Sequence, residues 1–279
     1  MEHDEVLAAY DRQMRRDVRP DAPGVRVERA GAVVRQTAPA TGWNGVLWSD
    51  LPETGAGKVE AAIARQVRHY AALGLAFEWK LYAHDRPRDL GRRLIAAGFT
   101  PEPAETLMVA ETAAVVRATD RAAVPAEGSA GGSAGEGCLP GGVRLVPVTD
   151  AAGVELMAEV HEQAFGTGRD AIRHRLLTLL AQEPGTVAAV VALAGGRPVS
   201  GARMELPPGT DFAGLWGGGT VPGHRGRGLY RALVGFRARL AAERGYRYLH
   251  VDASEQSRPI LLRLGFAPLS TTTPYLFTP

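Results

Sequence analysis

From Val143 onward, hydrophobic and polar positions come in blocks whose period switches between two residues and the spacing of a helix, and each block predicts an element. Val143 to Val148 reads as a short strand, followed by helices near Asp150 to Phe165 and over roughly Asp170 to Gln182. "TVAAVVALA", the Gly-Gly-Arg-Pro turn at 195 to 198 and "VSGARMEL" predict an antiparallel hairpin, continued by a third strand around Phe212 to Val221. A helix then starts near Leu229 and ends at Gly245. Its apolar residues Leu229, Ala232, Leu233, Phe236 and Leu240 lie at i, i+3, i+4, i+7 and i+11 on one face, with Arg231, Arg237 and Arg239 elsewhere. "YRYLHVD" reads as a strand, on which His250 is expected to pack, and Ser257 to Leu264 as a short helix opened by serine and Pro259. One or two final strands follow Gly265-Phe266.

The N-terminal half repeats part of this plan. A strand near Gly45 to Trp48, a helix around Val59 to Leu73, a strand "FEWKLYAHD" and a short helix lead to Gly98-Phe99. Asp85 and Asp252 are 167 residues apart, as are Gly98 and Gly265, and Thr106 and Thr273. A shared spacing across strand, helix and strand predicts a duplication. The expected fold class is α/β (α+β) with mixed, mostly antiparallel sheets flanked by helices, in two tandem domains at 1–117 and 143–279.

Between them lies "ATDRAAVPAEGSAGGSAGEGCLPGG", residues 118–142, a composition too poor in apolar side chains to order itself and read as a flexible linker. Gly131 to Gly135 spell G-x-S-x-G, but a nucleophile elbow needs a strand before and a helix after it, so a hydrolase is not expected. "TGAGKV" is likewise no P-loop: the required earlier glycine is Pro52, and Val59 stands where Ser or Thr would follow Lys58.

A net charge of +2, from 32 basic against 30 acidic residues, argues against nucleic acid or an anionic membrane as partner. The single cysteine, Cys138, permits no internal disulfide and no metal site of its own, in keeping with a reducing, cytoplasmic setting. The charged N-terminus lacks a signal-peptide core, and no segment has the apolar length of a membrane span.

The candidate chemistry sits in "LWGGGTVPGHRGRGLY", Leu215 to Tyr230. A glycine-rich turn between a strand and a helix offers unpaired N–H groups and the positive end of the helix dipole to an anion. In this setting "TVPGHRGRGLYRALV" resembles motif A of the GNAT superfamily of acyl-CoA N-acyltransferases. That motif is Arg or Gln, two residues, Gly, one residue, then Gly or Ala; Arg225 to Gly228 match its first four positions and Tyr230 departs at the last. The order of elements over 143–279 resembles the same fold, while the N-terminal half has no Arg-x-x-Gly-x-Gly and looks like a degenerate copy. Scaffolding, homodimer contacts and one wall of a cleft remain open for it, as does core or surface for Trp79, Lys80, Tyr82 and Asp85.

The resemblance implies that the amides of Gly226, Arg227, Gly228, Leu229 and Tyr230 hold the pyrophosphate of acetyl-CoA, with Arg225 and Arg227 adding charge. Thr220 and Val221 would pair with the pantetheine arm, Ser254 and Ser257 would lie near the cofactor, and Gly217 to Gly219 would bulge the strand at the thioester. The implied reaction is direct attack on acetyl-CoA by the primary amine of a small molecule or peptide, without metal. Such an amine must first lose a proton, and either Asp252 or Glu205 is the candidate base. The family's usual acid, a tyrosine, is replaced by Leu261, leaving Tyr230, Tyr275, Ser254, Ser257 or water for that role. The alternative implied by Leu261 is a non-catalytic coenzyme A sensor or assembly module.

Overall fold

The computed structural model describes residues 1–39, 42–53, 57–121, 139, 142–166 and 168–279. The linker motif Gly131 to Gly135 and Cys138 lie outside the described residues. In chain order the elements are α1 (His3–Tyr10), extended by a π-helical turn Asp11–Arg16, β1 (Arg26–Ala30), β2 (Val33–Thr37), β3 (Gly45–Ser49), α2 (Lys58–Leu73), β4 (Phe77–Tyr82), α3 (Leu90–Ala96) and β5 (Thr100–Pro101). They continue with β6 (Glu105–Glu111), α4 (Thr112–Arg121), β7 (Val143–Pro147), α5 (Ala151–Phe165), α6 (Arg169–Gln182), β8 (Val187–Ala194) and β9 (Arg197–Glu205). The last are β10 (Phe212–Thr220), α7 (Leu229–Glu243), β11 (Tyr248–Ala253), α8 (Arg258–Arg263) and β12 (Ala267–Phe277).

Two compact units result, and their limits differ from a split at 118–142. The first comprises Met1–Met108, Asp252–Arg258 and Pro268–Pro279; the second comprises Val109–Val251 and Pro259–Ala267. Sequence-distant segments close both units. In the first, β12 runs antiparallel to β4, with Thr272 opposite Tyr82 through Phe277 opposite Phe77. The cause is visible in its alternation: Tyr275 and Phe277 point to one face, where they join the core of Val33, Val46, Ile63, Tyr70, Phe77, Trp79, Leu90 and Phe99. Phe277 lies 5.2 Å from Phe99 and 5.8 Å from Phe77, centroid to centroid. The rest of the sheet is β1-β2-β3-β4, antiparallel except for the parallel pair β3 and β4.

The second unit carries the strand order β7-β8-β9-β10-β11. The first three neighbours pair antiparallel and β11 runs parallel to β10. Successive residues of β9 show which helices cover which face: a Cβ on Gly201 would lie 2.7 Å from Met157 of α5, whereas Ala202 packs with Leu233 of α7. Strand β10 meets β11 only from Phe212 to Gly214, while its pairing with β9 continues to Thr220. Beyond Gly214 the two parallel neighbours therefore part.

Helix α7 departs from the one-faced stripe that its sequence predicts. Val234, Gly235, Arg237 and Ala238 are buried in addition to Leu229 and Leu233. Helix α4 is the reason, since Thr119 lies 3.0 Å from where a Gly235 Cβ would stand. Residues 118–121, expected in the linker, are the last turn of α4, with Thr119 buried.

Candidate active site

The stretch that follows β10 is built by glycine conformation. Val221 donates its N–H to the Val199 carbonyl (3.0 Å), ending the strand, and Pro222–His224 make one 3-10 turn. Gly226 and Gly228 then adopt φ of +74° and +77°, the left-handed region that side chains disfavour. Nothing lies within 4 Å of a Cβ on Gly226, so its glycine answers to backbone shape rather than crowding. Arg225 braces the loop by donating from Nε to the Thr220 carbonyl at 3.1 Å. Gly228 is the residue before α7 and supplies no side-chain cap, so no cap bond covers the start of that helix, which follows an exposed loop. Arg227 is exposed beside them.

The glycine triplet is explained differently. Pairing of β10 with β9 shifts between Trp216 and Gly219, a bulge, with Gly217 at φ +56°. A Cβ on Gly218 would stand 2.8 Å from the Tyr230 ring, and one on Gly219 would stand 2.8 Å from Phe165 and 2.9 Å from Ala164. The strand is thus bare on both faces, and Tyr230 lies directly against it. Gly219→Val is expected to cost about 1–3 kcal/mol through overpacking. The check is chemical denaturation, and an unchanged midpoint would contradict the crowding. Around the bulge, Thr220 Oγ1 lies 2.7 Å from Ser200 Oγ, which donates to the Gly219 carbonyl at 2.8 Å.

The two candidate bases have distinct surroundings. Asp252 has its side chain only 2% exposed and pairs through Oδ2 with Lys80, a residue for which the sequence left core or surface open. Its Oδ1 is buried without a hydrogen-bond partner. Burial favours neutral Lys80, but the Asp252 carboxylate together with Tyr10 and Glu78 outweighs it and holds the amine above its ordinary pKa. The phenols of Tyr10 and Tyr82, 3.2 Å apart, are both pushed well up, by burial first. Asp85, the counterpart of Asp252 at the 167-residue spacing, is likewise held by a cation, accepting from Arg15 at 2.6 and 2.9 Å.

Glu205 accepts from Arg175 at 2.8 Å, and its Oε1 also stands 3.7 Å from Nε of Arg203. Burial alone would raise its pKa; Arg175 and then Arg203 overcome that and keep the carboxyl below its ordinary value. With a depressed folded pKa, Glu205 contributes stability above the carboxylate range of the unfolded chain and loses it as pH falls through the folded value. Glu205→Gln should therefore flatten the acid limb of a stability-against-pH profile measured by urea denaturation. An unaltered limb would show that the arginines do not act on it.

The remaining candidates separate. Ser254 and Ser257 form the entry to α8, with Ser257 N–H and Arg258 N–H donating to the Ser254 carbonyl at 3.2 and 2.9 Å. Tyr275 belongs to β12 in the first unit, where its hydroxyl occupies the space above Gly91. Leu261 is fully buried in α8. Of the candidates, Glu205, Thr220, Val221, Arg225 to Gly228, Leu229 and Tyr230 lie in the second unit; Asp252, Ser254, Ser257 and Tyr275 lie in the first. His250 is buried and edge-on to Trp216, at 6.0 Å between centroids. Arg237 is a buried cation that the helical pattern assigned away from the core. It donates to the Leu233 and Arg203 carbonyls at 3.0 and 2.9 Å, and burial pushes its pKa down to about 10.

Among the described residues, no group of three or more His, Cys, Asp or Glu could hold a metal ion, and no helix is long and apolar enough to cross a membrane. Residues 153–266 match the family model "Acetyltransferase (GNAT) family". No curated protein matches the chain in sequence. Among solved structures, the chain is similar to a GCN5-related N-acetyltransferase from Kribbella flavida, at 19% identity and a TM-score of 0.65 over 98% of this chain and 93% of that one. A functionally unknown conserved protein from Staphylococcus epidermidis aligns at 12% identity and a TM-score of 0.66, over 94% of this chain and 96% of that one. A tandem GNAT protein from the clavulanic acid biosynthesis pathway aligns at 15% identity and a TM-score of 0.58, over 92% of this chain and 84% of that one.

Proposed function

We propose that this chain, whose residues 153–266 match the GNAT acetyltransferase family and whose fold is that of tandem GNAT proteins, transfers the acetyl group of acetyl-CoA directly to a primary amine. The observation that carries the reading is the open turn at Arg225–Gly228, with two glycines at positive φ leading into an uncapped helix. The residues fit an anionic cofactor: the amides of Gly226 to Tyr230 would take its pyrophosphate, with Arg225 and Arg227 adding charge. Thr220 and Val221, where β10 has left β11, would pair with its extended arm, and Ser254 and Ser257 would contribute from the start of α8. When bound, acetyl-CoA supplies an activated carbonyl with a thiolate leaving group.

The chain's own part is to take a proton from the acceptor amine and to supply one to the departing sulfur. Asp252 is the stronger candidate for the first task, because Lys80 holds one carboxylate oxygen while the other has no partner. Glu205 remains the second candidate, weakened by its two arginines. Tyr230, lying against the bulged strand, is the candidate acid ahead of Tyr275, whose hydroxyl is engaged above Gly91. The buried hydrocarbon of Leu261 favours a second reading, a coenzyme A-binding module without turnover. The chain is proposed to work in the cytoplasm, without metal, nucleic acid or membrane.

Incubation with acetyl-CoA and an amine panel, followed by detection of free thiol, separates the readings. Amine-dependent release is expected, together with a fall of roughly 10²-fold or more for Tyr230→Phe if it is the acid. Tight coenzyme A binding without release would refute transfer and support the binding module.

A further inference from the structure

Three side chains of the first unit stand in a hydrogen-bonded row. The π-helical turn Asp11–Arg16 carries the first. Asp11 accepts through Oδ1 from Arg15 Nη1 at 2.7 Å and presents Oδ2 to His84 Nε2 at 2.9 Å. Arg15 is buried and donates to both oxygens of Asp85, so the Asp11 carboxylate is held by a partner that is itself fixed. His84 belongs to the turn after β4, closed by the Asp85 N–H donating to the Tyr82 carbonyl at 2.9 Å. Its other ring nitrogen, Nδ1, lies 2.9 Å from Ser270 Oγ. Pairing of β12 with β4 brings the serine there: Thr272 stands opposite Tyr82, and the Ala83 N–H donates to the Thr271 carbonyl at 2.8 Å.

The protons in this row have fixed places. Burial alone would raise the Asp11 carboxyl, but the hydrogen bond to His84 and the charge of Arg15 overcome it and keep Asp11 below its ordinary value. An ionised carboxylate only accepts, so Nε2 must carry a hydrogen. Arg15 Nη1, 3.3 Å from the same nitrogen, has no lone pair to offer, and that hydrogen goes to Asp11. In neutral His84 the lone pair then lies on Nδ1, facing Ser270. The serine hydroxyl has a second acceptor, the Thr271 carbonyl at 3.3 Å, but the imidazole is nearer. A hydroxyl bonded to an imidazole whose far nitrogen is held by a carboxylate is the constellation of a serine nucleophile. The side chains of His84 and Asp11 are 29% and 24% exposed and Ser270 is half-buried, so the row is open to small reactants. A pocket in this unit includes Ala83, Asp85 and Thr271 in its lining, which places open space one residue from His84 and from Ser270.

We infer that Ser270 is a second, separate nucleophile of this protein, with His84 as its base and Asp11 positioning the imidazole, and that it cleaves small carboxylic esters. In the first step Ser270 Oγ bonds to the ester carbonyl carbon while its proton passes to His84 Nδ1. The bond from that carbon to the leaving oxygen breaks, and the departing alkoxide takes the proton, leaving an acyl-serine. Water, deprotonated by the same nitrogen, then releases the acid and restores the hydroxyl. Esters rather than amides are the expected class, since an alkoxide leaves with less assistance than an amine. The inference requires nothing of acyl transfer at the glycine-rich turn, and it does not involve the G-x-S-x-G of residues 131–135.

The full chain is treated with a fluorophosphonate probe, which phosphonylates activated serines with loss of fluoride, and the adduct is mapped by mass spectrometry. Ser270 should carry it, and nitrophenolate release from p-nitrophenyl acetate should be lost in Ser270→Ala. His84→Gln should slow labelling roughly 10²-fold or more. Asp11→Asn should slow it too: Arg15 donates to Oδ1, so the new amide turns its NH₂ to His84 and moves the ring hydrogen to Nδ1. Nitrogen NMR of the histidine ring reports that exchange of tautomer, which lost packing would not produce. Circular dichroism confirms that the variants fold, and labelling of the parent chain tests the inference without them. No adduct at Ser270, nitrophenolate release that survives Ser270→Ala, or labelling of His84→Gln or Asp11→Asn at the parent rate would each overturn it.

Discussion

Valine at both Gly226 and Gly228 should raise the Kd for coenzyme A by on the order of a hundredfold or more while leaving the helical content of the protein intact. Each substitution forces a β-branched residue into φ near +75°, at a cost of roughly 1–2 kcal/mol per residue. The loop can relieve that strain only by rotating its peptide planes. Rotation turns away the N–H groups proposed to hold the anion, and each charge-assisted hydrogen bond lost is worth about 1.5–3 kcal/mol. Two such losses suffice for the predicted shift. The loop is exposed, and a Cβ on Gly226 would touch nothing, so the defect should be local. Calorimetric titration with coenzyme A is the measurement, and a Kd within twofold of the parent would dismiss the cofactor assignment.

The largest effect on stability is expected from Lys80→Met, at about 3–5 kcal/mol, because it strands the Asp252 carboxylate in a site where it is 2% exposed. The sign with pH follows from the raised pKa of Lys80. Its contribution is complete below the ordinary lysine range and is lost only as pH rises through the higher folded value. At neutral pH the variant therefore shows the full deficit. The double variant Lys80→Met with Asp252→Leu removes both charges and should recover most of it. Urea denaturation of both proteins decides: a single variant as stable as the parent, or a double variant no better than the single, would contradict a buried pair.

Strand and helix extents over residues 143–243 were legible because each element there ends at, or within two residues of, a glycine or proline. The glycine-rich turn was legible for the same reason, since positive φ leaves a compositional trace. What α7 buries was not. Arg237 breaks the apolar stripe, and a pattern that treats every arginine as solvated cannot show a guanidinium held by the Leu233 and Arg203 carbonyls. Helix α4 was hidden by the alanine-rich composition it shares with the stretch after it. The ion pair between Lys80 and Asp252 joins positions 172 residues apart and has no local signature. The partner of β12 was equally unreadable, because alternation fixes which side chains face inward but not which strand lies alongside.

The placement of β12 bears on how the protein can be divided. Pro268–Pro279 complete the first unit, and Val109–Arg121 contribute to the second. A gene cut within the Gly/Ser stretch would give two polypeptides that correspond to neither unit: one lacks the strand bearing Phe277, the other the helix that covers Gly235. Neither fragment is a ready-made minimal enzyme. Two units whose segments interleave along the sequence cannot be inherited or expressed separately by a single cut in the gene.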